Sequence, residues 1–145
     1  ALHTVIRLVT VTREGEAFAV ASGLRLGGAS PIVVIQNTGL LESGDAIRGT
    51  AQRMGAPVPF IVTGRGYEKM ARASVTADQP LTRELLTRVD VDSAALLTEP
   101  TLDAWGIPFS RCQSGDDPVD SISHLLDSTE RLGVPAALLL TRNLD

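Results

Sequence analysis

Short apolar runs of strand length alternate along this chain with segments whose apolar residues recur at helical spacing. The runs predict strands at residues 5–12, 31–35, 59–63, 107–112 and 135–141. The helical spacing predicts helices at residues 14–26, 42–54, 80–89, 98–105 and 118–132. Because strands and helices alternate, we expect an α/β fold, a three-layer α/β/α sandwich whose mostly parallel sheet has about five to six strands.

The helix predicted at residues 118–132 carries the clearest signals. Asp117 as N-cap and Pro118 at the first helical position predict the start of the last helix, and Gly133 predicts its end. The side chains expected on its inner face are Val119, Ile122, Leu125, Leu126 and Leu132. Those expected on the inner face of the second helix are Ala46, Ile47, Ala51 and Met54.

Composition narrows the class of protein. A length of 145 residues suits one domain, and an aromatic content of 3% means that the core must be aliphatic. A net charge of −4 without a basic patch argues against a nucleic-acid surface, and no apolar run approaches the ~20 residues of a membrane span. The single cysteine, Cys112, excludes an internal disulfide, is compatible with a cytoplasmic location and is expected to be a small buried hydrophobe.

Polar residues follow three of the predicted strands. They are Arg13 and Glu14, the expected turn Gln36-Asn37-Thr38-Gly39, and the expected loop Gly64-Arg65-Gly66-Tyr67. Because the carboxyl ends of parallel strands lie at one edge of a sheet, we expect these segments to converge there. Strand-end loops are polar in any α/β protein, so the pattern alone leaves both a site and an ordinary surface open.

The segment Arg13-Glu14-Gly15-Glu16 marks the change from strand to helix. Acidic residues stabilise a helix N-terminus by about 0.3–1 kcal/mol each, which explains Glu14 and Glu16 without any function. The poor helix former Gly15 between them is not needed for that purpose, and we expect it to permit close backbone approach. Glu42 and Asp45 read as first-turn acids of the second helix.

Several kinds of site are excluded or left open by the remaining motifs. The chain has neither a dinucleotide-binding Gly-x-Gly-x-x-Gly at its first helix nor a phosphate-binding P-loop. His3 and His124 are isolated, so we predict no metal site. Arg65, between two glycines, could hold an anion through its guanidinium group or could be a solvated loop residue.

Taken together, these segments resemble the pyrimidine-binding (PYR) domain of thiamine-diphosphate enzymes, above all the sulfopyruvate and phosphonopyruvate decarboxylases. The similar stretches follow one another in the family's order and are residues 12–17 with Gly23, 36–40, 64–66 and 98–108. The family has a glutamate nine residues before the glycine of its first helix, and Glu14 and Gly23 have that spacing.

The resemblance implies a cofactor and residues that contact it. Thiamine diphosphate is the implied cofactor, with Glu14 as the catalytic residue that bonds and activates its aminopyrimidine ring. Gln36, Asn37, Thr38 and Gly39 are implied to form the loop beside that ring, and Arg65 is the remaining candidate for binding an anionic substrate.

The resemblance also implies that the site is shared with another chain. The family's diphosphate- and Mg²⁺-binding motif is absent, so Mg²⁺ is expected on a beta subunit of a hetero-oligomer with an even number of subunits. Residues 1–145 are expected to be a PYR domain without its first strand and helix. The family often has Asn in place of Glu42, and the extra acid here disfavours a dianionic substrate.

The function implied is that of the alpha subunit of a thiamine diphosphate-dependent 2-oxo acid decarboxylase, active only with its partner subunit. Two alternatives share the fold: a non-catalytic structural or regulatory subunit, and a carboligase subunit that joins two carbonyl substrates. A nucleotide-binding α/β domain is a fourth possibility, which the absent phosphate loop disfavours.

Overall fold

The computed structural model describes residues 6–141. In this range the sheet has four strands: β1 Val33–Gln36, β2 Pro59–Thr63, β3 Phe109–Cys112 and β4 Ala136–Leu140. Their spatial order is β1-β2-β4-β3, and every neighbouring pair is parallel. The α/β class and the parallel sheet are confirmed, whereas the described residues form four strands and not the expected five to six.

Helical segments connect and flank these strands. They are α1 Glu14–Leu26, α2 Asn37–Glu42, α3 Gly44–Ala46, the π-helical segment Ile47–Gln52, α4 Tyr67–Arg72, α5 Arg83–Leu86, α6 Ser93–Ala104 and α7 Pro118–Leu132. The bounds of α1 and α7 are those predicted. At α7 the Asp117 carboxylate accepts a hydrogen bond from the Val119 N–H at 2.8 Å, and Gly133 ends the helix at φ 66°.

The two faces of the sheet bury different side chains because successive strand residues point in opposite directions. Phe60 of β2 packs edge-on against Phe18 of α1, with ring centroids 5.1 Å apart, in a core that α2 and α6 also join. Ile61 lies in a second core on the opposite face, with Leu125 of α7 and the fully buried Cys112. Helices therefore cover both faces, as expected for the sandwich.

The strand predicted at residues 5–12 is wrong over residues 6–12, and Val5 lies outside the described residues. No ladder forms there, and the side chains of Ile6 and Leu8 are 89% and 87% exposed. β-Branched residues favour a strand only where a neighbouring strand and a buried face are available, and this segment has neither.

The expected turn at 36–39 and the single helix at 42–54 are also wrong. Helix α2 begins at Asn37 directly after β1, and the helical path is interrupted at Ser43. The Ser43 hydroxyl donates 2.6 Å to the Gly39 carbonyl, and the Thr50 hydroxyl donates 2.6 Å to the Ala46 carbonyl. Such bonds to the carbonyl four residues earlier bend helices, which accounts for the broken path.

Three further boundaries and faces differ from expectation. The helix predicted at 80–89 covers only Arg83–Leu86, because the Thr87 hydroxyl bonds back to the last turn and ends it. Helix α6 starts at Ser93, five residues before the predicted start at residue 98, and Asp92 caps it. Four side chains assigned to inner faces are exposed: Met54, which lies beyond the helical segment that ends at Gln52, and Val119, Leu126 and Leu132 of α7.

Across residues 6–141, none of the helices is both long enough and apolar enough to cross a membrane.

Candidate functional site

The carboxyl ends of β1 and β2 meet through a buried amide. Asn37, fully buried just after β1, donates through Nδ2 to the Arg65 carbonyl oxygen at 2.7 Å, and its Oδ1 accepts from the Thr38 N–H at 3.0 Å. Two of the three predicted polar segments are therefore joined directly. Asn37 fixes their relative position, using one donor and one acceptor of its side-chain amide to do so.

The third segment reaches the same place through Glu14, the first residue of α1. Its side chain lies directly against the backbone of Gly39 in α2. A Cβ atom added at Gly39 would lie 2.8 Å from Glu14 Oε1 and 2.9 Å from Cδ, and closer still to Cγ. Only glycine leaves room for the carboxylate in this position, so Gly39 and Glu14 form one structural unit.

The carboxylate of Glu14 differs from that of its acidic neighbour Glu16 in its hydrogen bonds. The Glu16 carboxylate accepts from the Thr12 N–H and hydroxyl, both at 3.3 Å, and so serves the start of the helix. Within residues 6–141 the half-buried Glu14 carboxylate has no hydrogen bond or ion pair. A carboxylate held in place but unpartnered can share a proton with a ring nitrogen of a ligand.

Glu42 is not the first-turn acid that was predicted. It closes α2 and faces the start of α1, where Oε1 accepts from Arg13 Nη2 at 2.7 Å and Oε2 from the Gly15 N–H at 2.8 Å. The bond from Arg13, followed by that from Gly15, holds the pKa of the Glu42 carboxyl below its usual value. Asp45 likewise pairs with Arg48 at 2.5 Å.

At the start of α1, it is Gly39 of the facing helix and not Gly15 that permits close approach. A Cβ added at Gly15 would make an ordinary contact, 3.4 Å from Glu42 Oε2. The prediction that Gly15 permits close backbone approach is therefore wrong.

Arg65 is exposed, and its guanidinium has no hydrogen bond or ion pair with any residue from 6 to 141. Its backbone is firmly placed, because its carbonyl binds Asn37 and its N–H donates to Thr63 O at 2.9 Å. Gln36 is half-buried and Thr38 exposed beside it. The candidate residues thus lie on one edge, with Arg65 free to meet an anion.

A buried polar cluster that the sequence did not reveal lies among α4, α6 and β3. Glu99, only 5% exposed, accepts from Arg111 Nε at 2.9 Å and from the Tyr67 hydroxyl at 3.2 Å, and its second oxygen pairs with Arg111 Nη2. Burial, followed by the charge of Glu99, raises the pKa of Tyr67. The one available signal was a glutamate at helical spacing from the apolar Ala95 and Leu102.

Removing Arg111 should destabilise the fold, because the buried Glu99 would lose its charge partner. We expect Arg111→Ala to lower the free energy of unfolding by about 2–3 kcal/mol, less than a fully buried pair because Arg111 is half-exposed. Arg48→Ala, which breaks an exposed pair, should cost under about 1 kcal/mol. Urea denaturation of both variants measures the difference, and equal costs would contradict this role for the cluster.

No group of three or more His, Cys, Asp or Glu side chains in residues 6–141 could hold a metal ion. The chemistry of the residues present is compatible with the aminopyrimidine part of thiamine diphosphate, since Glu14 has no partner among residues 6–141 and lies against the backbone of Gly39.

Comparison with known proteins gives the family. No family model matches the chain. The sulfopyruvate decarboxylase subunit alpha of Methanothermobacter thermautotrophicus is 30% identical over 132 residues, which cover 91% of this chain and 70% of the relative. A subunit of the same name from Methanococcus maripaludis is 33% identical over 89 residues, which cover 59% of this chain and 52% of the relative. Another, from Methanocaldococcus jannaschii, is 25% identical over 131 residues, which cover 90% of this chain and 68% of the relative. The chain belongs to the sulfopyruvate decarboxylase alpha-subunit family, and its domain is of the PYR type found in thiamine-diphosphate enzymes.

Proposed function

We propose that this chain is the alpha subunit of a thiamine diphosphate-dependent 2-oxo acid decarboxylase, with Glu14 as the residue that contacts the aminopyrimidine ring. The observation that carries the proposal is the Glu14 carboxylate, which has no partner among residues 6–141 and rests on Gly39. Residues 1–145 would form the PYR domain of the enzyme. The family supports a decarboxylase subunit, and the role of each residue is our inference.

When bound, thiamine diphosphate supplies the electron sink that decarboxylation of a 2-oxo acid needs. Glu14 would hold a proton at a ring nitrogen, and the narrow space at Gly39 would fix the carboxylate that does so. Gln36 and Thr38 would lie beside the ring. Asn37 would act mainly by holding the start of α2 in place, because its side chain already binds Arg65 and Thr38.

The rest of the site would come from a partner. The relatives are named alpha subunits, and this chain lacks the family's diphosphate- and Mg²⁺-binding motif. We therefore propose a beta subunit that supplies both, in a hetero-oligomer with an even number of subunits. A cytoplasmic location remains a prediction from the single cysteine.

The charges at this edge suit an anionic substrate better than the sequence suggested. Glu42 and Asp45 are each paired with an arginine, so neither presents an uncompensated negative charge. Arg65 is exposed and unpaired within residues 6–141. This arrangement supports a 2-oxo acid with a second anionic group, the class that includes sulfopyruvate, with Arg65 as its contact.

Reconstitution with a partner tests the proposal. The chain would be co-expressed with a candidate beta subunit from its own genome, and carbon dioxide release would be measured with sulfopyruvate, phosphonopyruvate and pyruvate. We expect release only with both subunits and thiamine diphosphate, and fastest with a dianionic substrate. New carbon–carbon bonds from pyruvate and an aldehyde would indicate the carboligase instead. A purified complex that binds the cofactor but turns over nothing would favour a non-catalytic subunit.

A further inference from the structure

We infer that Glu42 is a positioning residue for Glu14, fixing the first turn of α1 so that the Glu14 carboxylate stays against Gly39. This inference rests on the proposed function of Glu14 and adds a residue to it. Glu42 lies on α2, the same short helix that carries Gly39. One helix therefore provides both the surface on which Glu14 rests and the carboxylate that holds its backbone.

Glu42 contacts the residues on both sides of Glu14 in the sequence. Glu42 Oε1 accepts from the side chain of the preceding residue, Arg13, through Nε at 3.2 Å and Nη2 at 2.7 Å. Glu42 Oε2 accepts the N–H of the following residue, Gly15, at 2.8 Å. Because both neighbours of Glu14 are bound to one carboxylate, the direction in which its side chain leaves the backbone is constrained.

No side chain of α1 accepts the Gly15 N–H. Arg13 occupies the N-cap position, and its side chain makes no capping hydrogen bond. The Gly15 N–H is one of the donors that a helix start leaves without an intrahelical partner, and Glu42 supplies that partner from another helix. A carboxylate at a helix N-terminus also has favourable electrostatics, so the contact suits its position.

The other end of α1 offers a matched control. Arg25 in the last turn pairs with Glu130 of α7, so that one ion pair joins the end of α1 to α7. Glu130→Ala removes this tie and leaves the Glu14 end untouched. If Glu42 were only a structural tie, the two variants would behave alike.

The test compares Glu42→Ala, Glu42→Gln and Glu130→Ala in the assembled alpha–beta complex. Hydrogen–deuterium exchange by mass spectrometry would report on the peptide at residues 12–18. We expect Glu42→Ala to accelerate exchange there by about tenfold, and Glu130→Ala to leave it unchanged, because only Glu42 binds the Gly15 N–H. Glu42→Gln keeps an acceptor for that N–H and should show an intermediate effect.

Turnover supplies the second measurement. Misplacing a catalytic group by about 1 Å can cost about 100-fold, so we expect Glu42→Ala to lower kcat by about 10- to 100-fold, with Glu42→Gln between it and the wild type. KM for the 2-oxo acid should change little, and Glu130→Ala should retain wild-type kcat.

Each outcome has a separate meaning. The positioning role of Glu42 would be overturned if hydrogen exchange at residues 12–18 were unchanged in Glu42→Ala, or if Glu42→Ala and Glu130→Ala showed equal losses of kcat. Either result would leave the proposed role of Glu14 intact. If Glu14→Gln in the same complex retains full turnover, the proposed function of Glu14 fails, and the positioning role fails with it.

Discussion

Glu14→Gln should lower thiamine diphosphate-dependent release of carbon dioxide from sulfopyruvate by about 100-fold or more, the scale of a lost acid–base group. Glutamine keeps the size of the side chain, so it should still fit against Gly39. What it loses is the ability to hold and share an acidic proton. Steady-state kinetics of the assembled complex, at saturating cofactor, measure this effect directly.

The control for this prediction is Glu16→Gln, two residues further along α1. Glu16 is the acid that bonds to Thr12 at the helix start, so its loss should cost a little stability and change turnover only a few-fold. If both variants lose activity equally, the general negative charge of this turn matters and the individual role of Glu14 is refuted. Turnover of Glu14→Gln within a few-fold of wild type would have the same consequence.

Gly39→Ala should abolish most of the activity while leaving the fold stable. The added methyl group would occupy the space of the Glu14 side chain, which must rotate away. We expect turnover to fall by about 100-fold, as for a displaced catalytic group. The change in the free energy of unfolding should stay within about 1 kcal/mol, because alanine favours a helix by about that amount and offsets part of the steric cost.

Gly49→Ala is the matched control for Gly39→Ala. Gly49 also lies in a helical segment, but a Cβ there would meet nothing within 4 Å. This variant should be at least as stable as wild type and fully active. A Gly39→Ala protein that keeps wild-type turnover would show that the contact with Glu14 does not position the carboxylate.

Much of the architecture could be predicted from the chain alone. The bounds of α1, β2 and α7 followed from local signals. An uninterrupted apolar run predicts β2, and Asp117 and Gly133 predict the two ends of α7. The strand predicted at residues 5–12 failed over the described residues, because strand formation depends on a neighbour that local composition does not report.

The parts of the site that could not be predicted depend on contacts between distant residues. The spacing of Glu14 and Gly23 indicated which carboxylate to choose. The sequence predicted that the segments of Glu14 and Gly39 converge, but not that the Glu14 side chain rests on the Gly39 backbone. Nor did it show that Glu42 binds the N–H of Gly15, 27 residues earlier in the chain. The cluster of Glu99 and Arg111 escaped for the same reason, since its members are joined only in the folded chain.

If Glu14 acts on the cofactor itself, it should control how fast the thiazolium C2 proton of bound thiamine diphosphate exchanges for deuterium. This exchange can be followed without any knowledge of the substrate. The exchange rate of the bound cofactor in the alpha–beta complex would be measured by rapid quench and NMR for the wild type and Glu14→Gln. We predict that exchange is slower by about 100-fold or more in Glu14→Gln at full cofactor occupancy. Equal exchange rates in the two complexes would show that Glu14 does not activate the cofactor.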